Sequence, residues 1–255
     1  MSDSSEPSSM QETFISHLVE LRTRLVRASV VVLAVFIVLF TLWPGSAVIY
    51  DWLAQPMMNA LPAGSKMIAT GVVTPFLIPM EVTMMLAVMV SLPWVLYQAW
   101  AFIAPGLYLH EKRLVAPLVI SSSVLFLVGV AFCYFFVFGT VFKFINEFAP
   151  KSISVAPDIE NYFDFVLTMC MAFGLTFEVP VVVVVLVRMG LVTVEKLKAI
   201  RPYVIVGAFV IAAVVTPPDI MSQLFLAIPL CLLYEVGLLV APFFQRATQA
   251  PEEAV

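Results

Sequence analysis

The stretch 162-YFDFVLTMCMAFGLTFEVPVVVVVLVR-188 decides the fold. Between Tyr162 and Val187 its only charges are Asp164 and Glu178, and it exceeds the about 20 residues a helix needs to cross a hydrocarbon core of about 30 Å. Comparable runs stand at 25–43, 72–101 and 114–142, so four membrane-crossing helices follow from length alone. Two shorter runs come later, 203–215 and 224–241, parted by Thr216, Pro217, Pro218 and Asp219. The paired prolines deny helix continuation, giving a short final helical hairpin and six spans. At about 1.5 Å per residue the fifth run reaches only about 20 Å, which calls for flanking residues or a locally thinned bilayer.

Composition agrees with an all-α membrane protein. The chain of 255 residues is 62% hydrophobic and 12% charged, with a mean hydropathy of +1.05, more apolar surface than one soluble core can hide. The net charge of −4 matters less than where the cations fall. Arg22, Arg24, Arg27, Lys112, Arg113, Arg188, Lys196, Lys198, Arg201 and Arg246 lie on one side of the spans; Lys66, Lys143 and Lys151 lie on the other. Ten against three places both termini in the cytoplasm. The segments 44–71 and 143–161 then face outward, and Asp51, Trp52, Pro56 and Pro62 in the first of them suit a cap of short helices. Residues 1–11, Ser-rich and without periodicity, read as a disordered tail; 12–244 form the membrane domain and 245–255 a short C-terminal tail. No small-residue cleavage site follows Leu42, so the first run reads as a retained span. Cys133, Cys170 and Cys231 all sit in apolar runs without the spacing of a metal or redox pair.

The search for chemistry is mostly negative. The sequence holds no Walker-type phosphate loop, no HExxH pair among His17 and His110, and no G-x-S-x-G elbow. No cofactor, metal or nucleic-acid partner is expected, and an enzyme is not expected either. Acids in unusual places remain. Glu178 precedes Arg188 by ten residues, about 15 Å along a helix and near the bilayer midplane, where an ionised group costs about 2.5–3.5 kcal/mol. It either faces a hydrated cavity in a functional role or makes a polar contact between helices, and Pro180 frees a nearby carbonyl. Glu235 reads as snorkelling to the interface, and Glu81 and Asp164 as solvated near the outer surface.

The N-terminal segment is amphipathic. Phe14, Leu18, Leu21 and Leu25 share one face, while His17, Glu20, Arg24 and Arg27 lie on another. Glu20 can pair with Arg24 at i, i+4, worth about 0.3–0.5 kcal/mol, or it can serve in binding. The same choice holds for Glu111, beside His110, Lys112 and Arg113.

The residues also carry a family pattern. The stretch His17-Leu-Val-Glu-Leu-Arg-Thr-Arg-Leu25, Met67-Ile-Ala-Thr70 leading to Thr74-Pro-Phe76, and Phe102-Ile-Ala-Pro-Gly-Leu-Tyr108 with Glu111-Lys-Arg113 resemble TatC. So do Phe177-Glu-Val-Pro180, Arg201-Pro-Tyr203, and Thr216-Pro-Pro-Asp219 with Ser222-Gln223. TatC is the polytopic core of the twin-arginine protein translocase, and the resemblance covers roughly 12–244. It implies a concave, glove-like set of six helices in a bacterial cytoplasmic membrane, and a receptor for signal peptides with two consecutive arginines on folded cargo. Glu20 and Glu111, with His17, Arg22, Lys112 and Arg113 around them, would be the signal-peptide site, since a carboxylate takes a guanidinium through two parallel hydrogen bonds that lysine cannot reproduce. Glu178 would line the concave face. The outer turn Thr216, Pro217, Pro218, Asp219 and Gln223 would mark where the single-span partners TatA and TatB dock, by helix packing in lipid. Other TatC copies would be further partners, and the proton-motive force would supply energy. The rival readings are an ion-coupled transporter using Glu178, against which stands the lack of an internal repeat, and a structural assembly factor.

Overall fold

A computed structural model describes residues 6–42, 44–61, 66–103, 115–148, 156–216 and 219–244. All regular structure among them is helical: α1 Glu6–Thr41, α2 Ser46–Ala60, α3 Thr74–Ile103, α4 Val115–Phe132, α5 Phe138–Phe148, α6 Ile159–Phe177, α7 Val179–Arg188, α8 Val194–Ala199, α9 Arg201–Val215 and α10 Ile220–Phe244. A π-helical turn, Cys133–Val137, joins α4 to α5. Among the described residues five segments are long and apolar enough to cross a bilayer: Ile15–Thr41, Thr74–Phe102, Ala116–Ile145, Ile159–Arg188 and Ile220–Phe244. The sixth apolar helix is α9, 15 residues, or about 22 Å.

Two boundaries differ from the sequence reading. Helix α1 begins at Glu6, inside the stretch read as a tail, because polar residues without periodicity do not oppose helix and Pro7 suits a first helical turn, where its missing N–H removes no hydrogen bond. The final hairpin is short on one arm only. Helix α10 has 25 residues, since Asp219 caps it by accepting the Ser222 N–H at 2.7 Å, so Ile220–Gln223 join the helix instead of the turn.

The chain divides into two compact units, Met1–Leu53 with Phe76–Ser123 and Ala54–Pro75 with Val124–Val255. In the first, the Trp100 indole N–H donates to the buried Ser122 hydroxyl at 3.2 Å, joining α3 to α4, and His17 stacks on Phe102 with ring centres 4.4 Å apart.

The second unit is built on close helix contact. A Cβ on Gly129 would stand 2.6 Å from the Phe173 carbonyl oxygen, and one on Gly174 would stand 2.5 Å from the Phe126 ring. Glycine at both positions lets α4 and α6 touch, the usual basis of helix association in lipid. Gly237 does the same for α10, where an added Cβ would stand 3.1 Å from Pro180 Cα. Helix α7 stops at Gly190, the residue at φ +71°, and the Leu191 N–H reaches back to the Leu186 carbonyl at 3.1 Å, a left-handed helix end that favours glycine. Val194, Leu197, Tyr234 and Leu238 then pack with Val183 and Val187 into one buried cluster.

Candidate functional site

The fourth span is broken where its acid lies. Pro180 has no N–H to offer the Thr176 carbonyl, so α6 ends at Phe177 and α7 starts at Val179. Glu178 forms the joint at φ −75°, ψ −17°. Its N–H donates to the Leu175 carbonyl at 3.1 Å, and its carbonyl accepts from Val182 at 3.0 Å. Of the two readings of its side chain, a hydrated cavity face or a contact between helices, burial favours the second: it is only 8% exposed, with both carboxylate oxygens closed off. The close passage of α10 at Gly237 beside Pro180 leaves little open surface there.

On the N-terminal helix, Glu20 accepts from Arg24 Nε at 2.8 Å and from Arg24 Nη2 at 2.6 Å, both on Oε1. Glu20 remains 40% exposed, and among the described residues no hydrogen bond reaches its Oε2. His17 and Arg22 are exposed on the same helix. Glu111, His110, Lys112 and Arg113 lie outside the described residues, as do Pro217 and Pro218 of the turn between α9 and α10.

What is described of that turn is tightly bonded. Thr216 is buried and donates its hydroxyl to the Ala212 carbonyl at 2.8 Å, Asp219 caps α10, and Gln223 Nε2 donates across to the Phe209 carbonyl at 3.3 Å. At the opposite end of the same hairpin, Glu235 accepts from Arg201 at 2.6 Å. The snorkelling reading of Glu235 missed this partner, which starts a different helix. Glu81 and Asp164 are exposed.

One polar centre was not foreseen. Ile68 and Asp158 form an isolated parallel bridge, with the Ile159 N–H donating to Ile68 at 2.9 Å. Asp158 Oδ2 accepts from the Thr70 hydroxyl at 2.6 Å and from its N–H at 3.1 Å, while Oδ1 caps α6 through the N–H groups of Glu160 and Asn161. Thr74 adds a bond to Glu160 at 3.0 Å. These donors, the Thr70 hydroxyl foremost, hold the Asp158 carboxyl below its ordinary range. The cap itself was readable, an aspartate ahead of an apolar run; its partner 88 residues away was not.

Helices long enough to cross a bilayer, a short apolar helix paired with a long one, and an acid buried at a break in a span define a polytopic helical membrane protein. The profile of the family described as "Sec-independent protein translocase protein (TatC)" matches residues 16–229, and the chain belongs to that family. It is similar to the TatC proteins of Halothiobacillus neapolitanus, 50% identical over 93% of this chain and 64% of that one, and of Haemophilus influenzae, 49% identical over 92% and 90%. The chain thus spans about two thirds of the first relative's length and nearly all of the second's. A crystal structure described as the twin arginine translocase receptor TatC superposes with a TM-score of 0.78 at 34% identity, covering 89% of this chain and 99% of that one. A second, in the detergent DDM, gives 0.79 at 35% identity.

Proposed function

We propose that this chain is the signal-peptide receptor and core of a twin-arginine translocase. It would sit in a bacterial cytoplasmic membrane with both termini inside and pass folded proteins outward at the expense of the proton-motive force, acting as a transport component and not as an enzyme. The observation that carries the reading is Glu20, one oxygen of which is engaged by Arg24 while the other remains open on an exposed helix. That is half of a bidentate guanidinium site, already charge-balanced, so a second arginine meets an acceptor without a large desolvation cost. Glu111 would supply the second acceptor for the arginine pair, and Arg22, Lys112 and Arg113, with His17 beside them in the site, would repel cationic ligands lacking that geometry.

TatA and TatB would dock along α9. Tyr203, Val206, Val210 and Val214 are all exposed at spacings of three and four, so they form one apolar stripe. The bonded turn at Thr216, Asp219 and Gln223 would fix its outer end, with Pro217 and Pro218 between them. Glu178 would receive polar groups of a partner helix once the break at Pro180 opens. Folded cargo and further copies of the chain complete the assembly.

The test is binding of a twin-arginine signal peptide to the nanodisc-reconstituted chain. Glu20→Ala and Glu111→Ala are each expected to weaken binding about tenfold or more, and a twin-lysine peptide to bind as weakly as the variants. Equal binding by all three proteins would refute the site.

A further inference from the structure

Within the unit Ala54–Pro75 with Val124–Val255 lies a cavity of about 350 Å³ that none of the roles above uses. Gln55 and Asn59 of α2 form one wall; Tyr134, Phe135, Gly139 and Lys143 of the third span form the other. Phe135, Gly139 and Lys143 are four residues apart, which keeps them on one helix face. Tyr134 and Phe135 belong to the π turn Cys133–Val137, a rare distortion that recurs at functional sites because the extra residue re-aims side chains. Gly139 forms an open floor: a Cβ there would meet nothing within 4 Å.

Depth and charge indicate the occupant. Lys143 is exposed two residues before the end of the apolar segment at Ile145, which is interface depth. Among the described residues no ion pair reaches it. Phe135, 79% exposed, lies eight residues further in, about 12 Å along the helix. A cation with two carboxamides at the interface, above an aromatic-walled trough running into hydrocarbon, matches a phosphodiester headgroup with one acyl chain. The volume is that of a small-molecule site and too small for a partner helix, about 10 Å across.

We propose that this groove holds one phospholipid. Lys143 and the carboxamides of Gln55 and Asn59 bind its phosphodiester, and Tyr134 and Phe135 seat an acyl chain over Gly139. On the orientation set by the basic residues, the lipid belongs to the outer leaflet.

Ordinary snorkelling of Lys143 to the headgroups needs neither the carboxamides nor the trough, which makes Gly139 the deciding position. The experiment is native mass spectrometry of the detergent-purified full chain titrated with phosphatidylglycerol, with diacylglycerol and inorganic phosphate as probes of the two halves of the ligand. The wild type is expected to retain one phosphatidylglycerol, Lys143→Gln to bind it about tenfold more weakly, and Lys143→Arg to recover most of that. Gly139→Leu fills open space and should abolish retention at an unchanged unfolding midpoint, while Gly139→Ala keeps it. If Gly139→Leu lowers the midpoint, Asn59→Leu serves as the blocking variant with the same expectation. Diacylglycerol is expected not to bind, and millimolar phosphate not to displace the lipid. Undiminished retention by the blocking variant would overturn the groove, and phosphate binding as tightly as lipid would reduce it to an anion site.

Discussion

In the first span, Ile15–Thr41, 6% of the most apolar stretch is buried by the rest of the chain; in the fourth, Ile159–Arg188, the share is 56%. Their hydropathies are close, 2.2 and 2.4, so apolarity decides only that both leave water. What separates them is the ability to approach another helix. Lipid tails are as apolar as leucine, so helices associate in a bilayer through close contact and buried polar groups. The fourth span has Gly174 against Phe126 and a partner in Gly129, a capped start at Asp158 and a buried acid at its break. Helix α1 contains no glycine and turns Val26, Val30, Leu33 and Ile37 outward, a surface left for lipid or partner helices.

The largest effect should come from closing the contact that buries the fourth span. Gly129→Val places a branched side chain against the Phe173 backbone oxygen and the Phe177 ring, neither of which can step aside. A loss of about 3 kcal/mol or more is expected, read as aggregation on size-exclusion chromatography or failure to accumulate in membranes. A well-folded Gly129→Val protein would break the comparison at its root.

Next in size is a functional effect without a structural one. Glu178→Gln keeps the shape at the helix break, so the unfolding free energy should move by less than about 1 kcal/mol, while export of a twin-arginine reporter falls at least about tenfold. Transport at the wild-type rate would leave Glu178 a structural residue of the fourth span, and the proposed role would fall.

Much of this was legible, for identifiable reasons. Run length located the spans, since the bilayer fixes how many apolar residues a crossing needs, while Pro180 was read as freeing a carbonyl beside Glu178 and not as dividing the fourth span in two. The short fifth helix was counted to within a few ångströms. Four things were not visible. The extension of α10 to Ile220 depends on Asp219 acting as a cap where the paired prolines suggested only a turn. The Arg201–Glu235 bond links residues 34 apart, and the bridge between Ile68 and Asp158 joins segments further apart still, so no local pattern contains either. The burial of Glu178 needed Gly237 on another helix, which sequence spacing cannot assign to it.

Two smaller tests bear on how the fourth span and its neighbours are tied at their ends. Asp158 has its carboxyl pKa lowered by the Thr70 hydroxyl and backbone donors, so its contribution is fully present above the ordinary carboxylate range and fades as pH falls through the lowered value. The wild type should therefore unfold later than Asp158→Asn at pH 7, and the gap should narrow below about pH 4. A gap that widens on acidification would reverse the sign of the assignment. Arg201 and Glu235 are each 44% exposed, and a double-mutant cycle on the pair should return about 0.5 kcal/mol. A coupling several times larger would mean that the Arg201–Glu235 end of the hairpin is far less solvated than its exposure indicates.

The smallest effect belongs to the first span, and for that reason it tests the comparison most sharply. Leu33 is half exposed in the middle of α1. In detergent the unfolded and folded states both leave such a side chain in an apolar solvent, so Leu33→Ala removes no burial and creates no cavity, and its cost should stay within about 0.5 kcal/mol. The same truncation at Phe173, fully buried in the fourth span, should cost about 3–5 kcal/mol. If Leu33→Ala is neutral in the isolated chain yet lowers export, the outward face of α1 contacts another helix in the working assembly. If it destabilises the isolated chain by more than about 1 kcal/mol, that face is already packed within this protein, and the contrast between the two spans does not hold.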